Sequence, residues 1–312
     1  MKSDGVMVQA AEPTPHIFSI PAQPAFYTGP QAPNVFLVHD GGEGALVDSG
    51  FGDEKSVQVR LAFLGEHPEI KVRYILLTHH HFDHSSGAQQ LRKATGAQVV
   101  LHAGEEKFLL DSRSEAPQDL EAGPDENKQV AEAIQRFRDQ AAEGVPDVRV
   151  SGGETLKVGD LDIEVVHTPG HTLGSVCFYM PGERALFTGD TALGLGTVAI
   201  SPPPHGDMAL YLDSLARLKA YDCGLMLPGH GQTVHDVRSK LQELIDHRHE
   251  REAQVLKLMA DGKRTPKAML SSIYMELDKR IVPMALRQIE AHLHKLEAEG
   301  RVARDGDEWV LT

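Results

Sequence analysis

Cysteine is almost missing from this chain: Cys177 and Cys223 are the only two among 312 residues. A disulfide framework is thereby excluded, and a reducing compartment, the cytoplasm, is the expected one. Long apolar runs are missing too. Nothing approaches the roughly 18 to 20 consecutive apolar residues of a membrane-spanning helix. The opening Met1-Lys2-Ser3-Asp4-Gly5 has a single Lys and no apolar stretch behind it, so no secretory signal is expected. Internal repeats and low-complexity tracts are absent. Positive charge is scarce: 31 Lys and Arg stand against 45 Asp and Glu, a net charge of -14. The deficit is local. From His235 onward the chain has 14 residues of each sign, whereas the first 234 hold 17 basic against 31 acidic. Polyanions such as RNA bind largely through phosphate contacts to basic surfaces, so the mean field of that region has the wrong sign for one.

What is present, 41% hydrophobic residues at a mean hydropathy of -0.28, suffices for one large domain and a small one. Segments 34–39 and 44–48 read as strands around the turn Asp40-Gly41-Gly42. Segment 72–77 is an apolar-rich strand that runs into a histidine cluster, with helical patterns over 54–64 before it and 86–93 after it. A further short strand covers 98–102. This alternation predicts an α/β layering. Residues 105–147 break the rhythm with 5 basic and 12 acidic residues. Within them Val130, Ile134, Phe137 and Ala141 mark an amphipathic helix. Strands then return over 154–158, 162–167, 175–180, 185–188 and 224–227, with a helix over 208–218. Beyond His235 the texture is helical. A helix over 237–259 ends near Gly262, and Thr265-Pro266 caps a helix over 267–276. A third helix covers 285–299, and two strands flank Asp305-Gly306-Asp307. That order is the order of a winged helix.

The chemistry concentrates in Thr78-His79-His80-His81-Phe82-Asp83-His84, placed where a buried strand ends. Such a cluster is costly without a ligand, and imidazole nitrogen and carboxylate oxygen are the donors that zinc takes at about 2.0 to 2.2 Å. On an extended segment His79 and His81 share a face, while Asp83 and His84 turn toward a neighbouring point. One metal can bind each pair. Three more fragments place a ligand-type residue just after a strand and beside Gly or Pro: His167-Thr168-Pro169-Gly170-His171, Thr188-Gly189-Asp190 and Leu227-Pro228-Gly229-His230-Gly231. Each alone reads as a turn. Together they supply what two metals need, about three protein ligands each and a bridge.

These motifs resemble the metallo-beta-lactamase superfamily, whose pattern HxHxDH, then H, D and H, is matched in full. The resemblance implies that His79, His81 and His171 hold one metal, that Asp83, His84 and His230 hold the other, and that Asp190 bridges them. It also implies that Asp48, in Leu46-Val47-Asp48-Ser49-Gly50, is the buried aspartate that hydrogen-bonds a ligating histidine and fixes its tautomer. His80 and His167 fall at non-ligand positions and read as structural. Over roughly residues 30–312 the chain is similar to the beta-lactamase-like protein 2 branch. The marks are Gly189-Asp190-Thr191, Leu193-Gly194-Leu195-Gly196-Thr197, Pro228-Gly229-His230-Gly231, His247-Arg248, Arg251-Glu252 and the winged helix. The implied fold is an α/β four-layer αβ/βα sandwich over residues 1–234, with 105–147 as an acidic helical insertion. A small winged-helix domain over 235–312 follows.

The resemblance implies a binuclear hydrolase with two Zn²⁺, iron or manganese being the alternatives, about 3.5 to 4 Å apart. A bridging hydroxide would attack a carbonyl or phosphoryl centre, oriented by Asp83 and Asp190 as catalytic residues. No separate general acid stands out, which favours good leaving groups: a small ester or thioester. The alternative is a single-stranded RNA endoribonuclease, since one relative in that branch cleaves such RNA. A mononuclear iron oxygenase and a catalytically dead binding module are further classes, the last opposed by seven intact ligand positions. In 285–299 Arg287 and Lys295 face Glu290, Glu297 and Glu299, so DNA binding is not expected. Ile289, Leu293 and Leu296 read as core there, and the module as a packing or dimer element. The expected partner is a small-molecule substrate; no membrane is expected, and a homodimer is the assembly open to the chain. The 105–147 insertion and Pro202-Pro203-Pro204-His205 are expected to shape specificity, the insertion as a lid beside the metals.

Overall fold

The computed structural model describes residues 11–20, 32–111, 124–275 and 277–312. The expectations placed on residues 1–5, on 112–123 of the insertion and on the side chain of Val130 lie outside the described residues. A first sheet runs in chain order through β1 (Ala11–Thr14), β2 (Ile17–Ile20), β3 (Val35–Asp40), β4 (Glu43–Val47), β5 (Lys71–Leu76), β6 (Gln98–His102) and β7 (Val148–Val150). Its helices are α1 (Glu54–Glu66), the short α2 (Phe82–Ser85), α3 (Ala88–Thr95), α4 (Ala103–Asp111) and α5 (Pro124–Ala141). The second sheet has the order β12-β11-β10-β9-β8. Its strands are β8 (Thr155–Val158), β9 (Leu161–His167), β10 (Val176–Met180), β11 (Ala185–Gly189) and β12 (Leu225–Pro228). Helices α6 (Met208–Leu218), α7 (Val237–Ala260), α8 (Pro266–Ile273) and α9 (Val282–Ala298) follow, with the hairpin β13 (Val302–Asp305) and β14 (Glu308–Leu311).

Side-chain alternation explains the layers. On β3, Phe36 and Val38 point into the core between the sheets, whereas Val35 and Leu37 point to the helices on the outer side. On β10, Val176, Phe178 and Met180 face the first sheet, and Cys177 and Tyr179 face α6 and α7. Both faces of both sheets are therefore covered, which is why these strands read as continuous apolar runs. Each fully buried Val, Leu or Phe contributes about 1.5 to 3 kcal/mol. The result is helices, sheet, sheet, helices: the layered sandwich expected from the sequence. A fourth core of Val255, Met259, Met269, Ile289, Leu293, Leu296, Val302 and Trp309 holds the winged helix together. Helix α7 belongs to two cores, with Leu241 and Leu244 under the second sheet and Val255 and Met259 in the C-terminal one.

Local signals explain several boundaries. Gly41 and Gly42, at φ 57° and 85°, make the β3–β4 turn that pairs Asp40 with Glu43. Thr265 accepts from Ala268 N at 3.2 Å and Pro266 opens α8, as its sequence implies. That helix stops at Ile273, short of the expected 276, because Tyr274 turns to the β region under the Arg251 guanidinium. Helix α9 begins three residues earlier than expected, its first turn preset by Pro283. Helix α4 was not anticipated, because it starts directly at the end of β6 with no cap between them. Among the described residues no helix is long and apolar enough to cross a membrane.

Candidate metal centre

The carboxyl ends of β4, β5, β9, β11 and β12 meet at one edge of the sandwich, the usual place for a site in sheets with parallel neighbours. Asp48 leaves β4 at φ 59°, in the left-handed region that Asp tolerates better than most residues. From there its carboxylate accepts hydrogen bonds from Thr78 N (2.8 Å), Thr78 Oγ1 (3.0 Å) and His84 Nδ1 (2.8 Å). Thr78 Oγ1 in turn lies 3.0 Å from His79 Nδ1. On the opposite side His171 Nδ1 donates to Ala199 O at 2.8 Å. A carbonyl or carboxylate can only accept, so Nδ1 carries the proton in His84 and His171. With its hydroxyl proton given to Asp48, Thr78 accepts from His79 Nδ1 in the same way. All three rings therefore aim Nε2 inward, the atom that a metal ligand offers once it carries no proton.

The inward atoms form two clusters. His81 Nδ1 lies 3.0 Å from His79 Nε2 and 2.9 Å from His171 Nε2. Beside it, His230 Nε2 lies 3.2 Å from His84 Nε2 and 3.3 Å from Asp83 Oδ2. The carboxylate of Asp190 stands between them, with Oδ2 3.6 Å from His171 Nε2 and Oδ1 3.4 Å from His84 Nε2 and 3.5 Å from His230 Nε2. Ligands at 2.0 to 2.2 Å in a tetrahedron stand roughly 3.3 to 3.6 Å apart; the second group matches that spacing and the first, at 2.9 to 3.0 Å, is slightly tighter. Asp190 Oδ1 is buried without a hydrogen bond, which is costly unless a cation satisfies it. The structure thus brings together all seven residues that the sequence singled out, and the donor set fits metal ions. Glycine at 229 is obligatory: a Cβ there would sit 2.7 Å from His84 Cε1 and 2.8 Å from Asp190 Oδ1. Asn34 secures this turn by donating to Pro228 O and Gly231 O at 2.8 and 2.9 Å.

Burial pushes the pKa values of His79, His81 and His171 down, so these rings stay neutral. Burial opposes charge on His84 and His230 as well, but the carboxylates of Asp83 and Asp190, with Asp48 for His84, outweigh it and hold both above the ordinary histidine value. Asp83 and Asp190 stay ionised well below the usual range despite their burial, because His84 and His230 face them. In a metal-free chain protons on the second cluster thus balance the two carboxylates, and bound cations would take their place.

The other histidines of the motifs do structural work. His80 turns away, with Nδ1 2.5 Å from Glu105 Oε2, while Glu105 Oε1 accepts from Gly174 N at 2.8 Å. Glu105 is fully buried, and His80 helps to hold its pKa at about 2 against the opposing effect of burial. It ties the 79–84 loop to the β9–β10 loop. Sequence reasoning missed it inside the acidic insertion, although Leu109, one turn on, gives the inward face away. His167 donates to Leu173 O at 3.0 Å and stacks on His102 at 4.4 Å.

The clusters open into a cavity of about 620 Å³, whose apolar side includes Leu193, Leu195, Ile200 and Met284. Arg138 of α5 and His205 also line it. Next to Arg138, Phe137 packs on Phe51 at 4.9 Å and on Phe82 at 6.0 Å. The winged helix does more than pack. Ile289, Leu293 and Leu296 are indeed fully buried core, yet Met284 and Arg287 of α9 reach the cavity. Gln288 Oε1 accepts from Ile200 N at 2.8 Å, and Arg248 of α7 donates to Val198 O at 2.6 Å. The residue held between them, Ala199, supplies the carbonyl that orients His171.

The Metallo-beta-lactamase superfamily profile matches residues 28–230. The chain belongs to that superfamily. A Beta-lactamase associated winged helix domain profile matches residues 265–309. Among curated proteins the chain is similar to the atrochrysone carboxyl ACP thioesterase of Aspergillus fumigatus, 28% identical over 75% of this chain and 62% of that protein's length. It is also 28% identical to a beta-lactamase-like protein 2 homolog of Drosophila melanogaster, over 89% of this chain and 87% of that one. A metallo-beta-lactamase family protein from Thermus thermophilus superposes with a TM-score of 0.76 at 26% identity, covering 96% of this chain and 99% of the other. The chain is thus a hydrolase of this superfamily, with the associated winged helix that its sequence suggested.

Proposed function

We propose that this hydrolase cleaves small acyl thioesters or esters with two zinc ions, one held by His79, His81 and His171, the other by Asp83, His84 and His230, with Asp190 between them. The observation that carries the reading is the pair of adjoining donor clusters opening on a cavity with an apolar wall. Bound there, the ions would supply a water acidified toward neutral pH and a Lewis acid for the oxygen on which charge develops. Asp83 and Asp190, held ionised, accept hydrogen bonds from the attacking water and orient it. Asp48, Thr78 and Ala199 O keep the imidazole lone pairs aimed inward. Leu193 and Ile200 give the cavity an apolar wall for the acyl group, and α5 adds to it through Arg138. A thiol leaves readily as thiolate near its pKa of about 8.5, so no dedicated proton donor is required. The name of the Aspergillus fumigatus relative supports the thioester, and the acidic catalytic part speaks against RNA.

The test compares turnover of an acyl thioester, an aryl ester, a lactone and a single-stranded oligonucleotide at moderate salt. Thioester or ester should show the highest kcat/KM, lost in Asp83→Ala and on chelation. A much higher kcat/KM for the oligonucleotide, also lost in Asp83→Ala, would overturn the proposal.

A further inference from the structure

Arg287 is out of pattern. The chain is acidic, and its arginines are commonly paired: Arg73 with Glu43, Arg92 with Asp147, Arg149 with Glu106, Arg301 with Glu252. Arg287 makes no hydrogen bond or ion pair with any described residue, although it is half-buried and lines the metal cavity. Arg138, the other cation on the lining, is buried and has a partner within the protein. Nor is Arg287 a loosely placed rim residue. It lies on α9 between Met284, one turn before it on the cavity wall, and the buried pair Gln288 and Ile289. The hydrogen bond from Ile200 N to Gln288 fixes the register of α9 against the cavity. A rigid helix therefore presents an unpaired, partly desolvated guanidinium to the substrate space, with the apolar Met284 and Ile200 sharing the same wall.

We infer that Arg287 binds an anionic group of the substrate. The substrate class is then acyl thioesters that carry a carboxylate or phosphate away from the reacting carbonyl. The inference rests on the proposed thioester hydrolysis and narrows it. Guanidinium matches either anion through paired N–H donors, and the low-dielectric wall strengthens the contact. The C-terminal module is thereby part of the active site, with Arg287 as its specificity-determining residue.

Three thioesters test this with zinc-loaded protein: acetyl-N-acetylcysteamine, which is neutral; malonyl-N-acetylcysteamine, with a carboxylate on the acyl side; and acetyl-coenzyme A, with phosphates on the thiol side. At least one charged substrate should be preferred over the neutral one. Arg287→Met should lower its kcat/KM, chiefly through KM, by about tenfold more than that of the neutral substrate. Arg287→Lys should restore part of the difference. Which charged substrate responds identifies the source of the anion. Hydrolysis of the neutral thioester with no charged preference, or an equal loss on all three in Arg287→Met, overturns the inference and leaves the thioester reading standing. Failure to hydrolyse any of the three overturns both.

Discussion

The two donor clusters of the candidate metal centre are built differently. The cluster of His79, His81 and His171 is all imidazole, and burial keeps it neutral. The cluster of Asp83, His84 and His230 contains a carboxylate; Asp83 and Asp190, with Asp48 for His84 alone, pull its two histidines toward the protonated form. Their supports differ as well. His84 is oriented by Asp48 from the end of a core strand. His171 is oriented by a backbone carbonyl in a loop that α7 and α9 hold from outside the sandwich. The second half is thus supported by the first sheet, whereas the first draws on both, on Asp48 through Thr78 at His79 and on the C-terminal helices at His171. Because it rests on a charged group in a buried strand end, the Asp48 support should be the harder to replace.

Asp190 belongs to both halves, so Asp190→Ala should erase the distinction. We expect a loss of about a thousandfold in kcat/KM on the thioester, with weaker metal retention at both positions, checked by steady-state kinetics and elemental analysis. Next come the supports. Asp48→Asn should weaken zinc affinity of the second cluster by about 10- to 100-fold, and that of the first less, because it reaches His79 only through Thr78. Gln288→Leu should weaken only the His171 cluster, by about tenfold or less, because it acts through a loop. Competition titration with a chromophoric chelator resolves the two. Equal effects on both sites from either variant would remove the proposed division of support.

Acidity sharpens the contrast. In metal-free protein His84 and His230 have pKa values raised above 6.5, so they contribute stability below that pH which is lost as pH rises through their folded values. Asp83 and Asp190, depressed below 3.8, contribute stability above that pH and lose it only in strong acid. Above about pH 7.5 the depressed His79, His81 and His171 are neutral in the unfolded chain too. From there up to about pH 9 the melting temperature of chelator-treated protein should therefore fall by a few degrees, on the scale usual for a chain of this size. Zinc should reverse the slope by displacing the protons. A metal-free melting temperature that climbs across this interval would contradict the assignment.

The smallest effect concerns the winged helix. His292 is fully buried with neither ring nitrogen hydrogen-bonded, and burial lowers its pKa to about 3. Its contribution is intact above the ordinary histidine value and fades as pH falls from there toward 3. His292→Met should flatten the acid side of the stability curve with little change near pH 8, read by urea unfolding at both pH values.

Legibility in the sequence follows the range of the contacts. The seven candidate ligand positions could be read because four of them crowd into residues 79–84 at a strand end, and the other three each follow a strand in a short Gly- or Pro-bearing fragment. Asp48 was legible only through the family resemblance, since locally it reads as a turn residue after a strand. The supports from afar could not. Gln288 acts on Ile200 from 88 positions away, Arg248 on Val198 from 50, and Glu105 on Gly174 from 69. No local pattern marks a side chain whose partner is set by packing. The longer core strands were legible because both faces of each sheet are buried, whereas the three- and four-residue β1, β2 and β7 were missed and α4 was hidden by its direct start from β6. The apolar stripe of α9 was read correctly as core. Its adjacent face, with Met284, Arg287 and Gln288, depended on how the winged helix docks.

The most direct test of the binuclear account is metal content. Protein purified without chelator and supplied with zinc should hold about two equivalents per chain. His171→Ala and His230→Ala should each fall to about one, because each removes a ligand from a different cluster. A stoichiometry at or below one in the unmodified protein, reproduced after zinc addition, would contradict it.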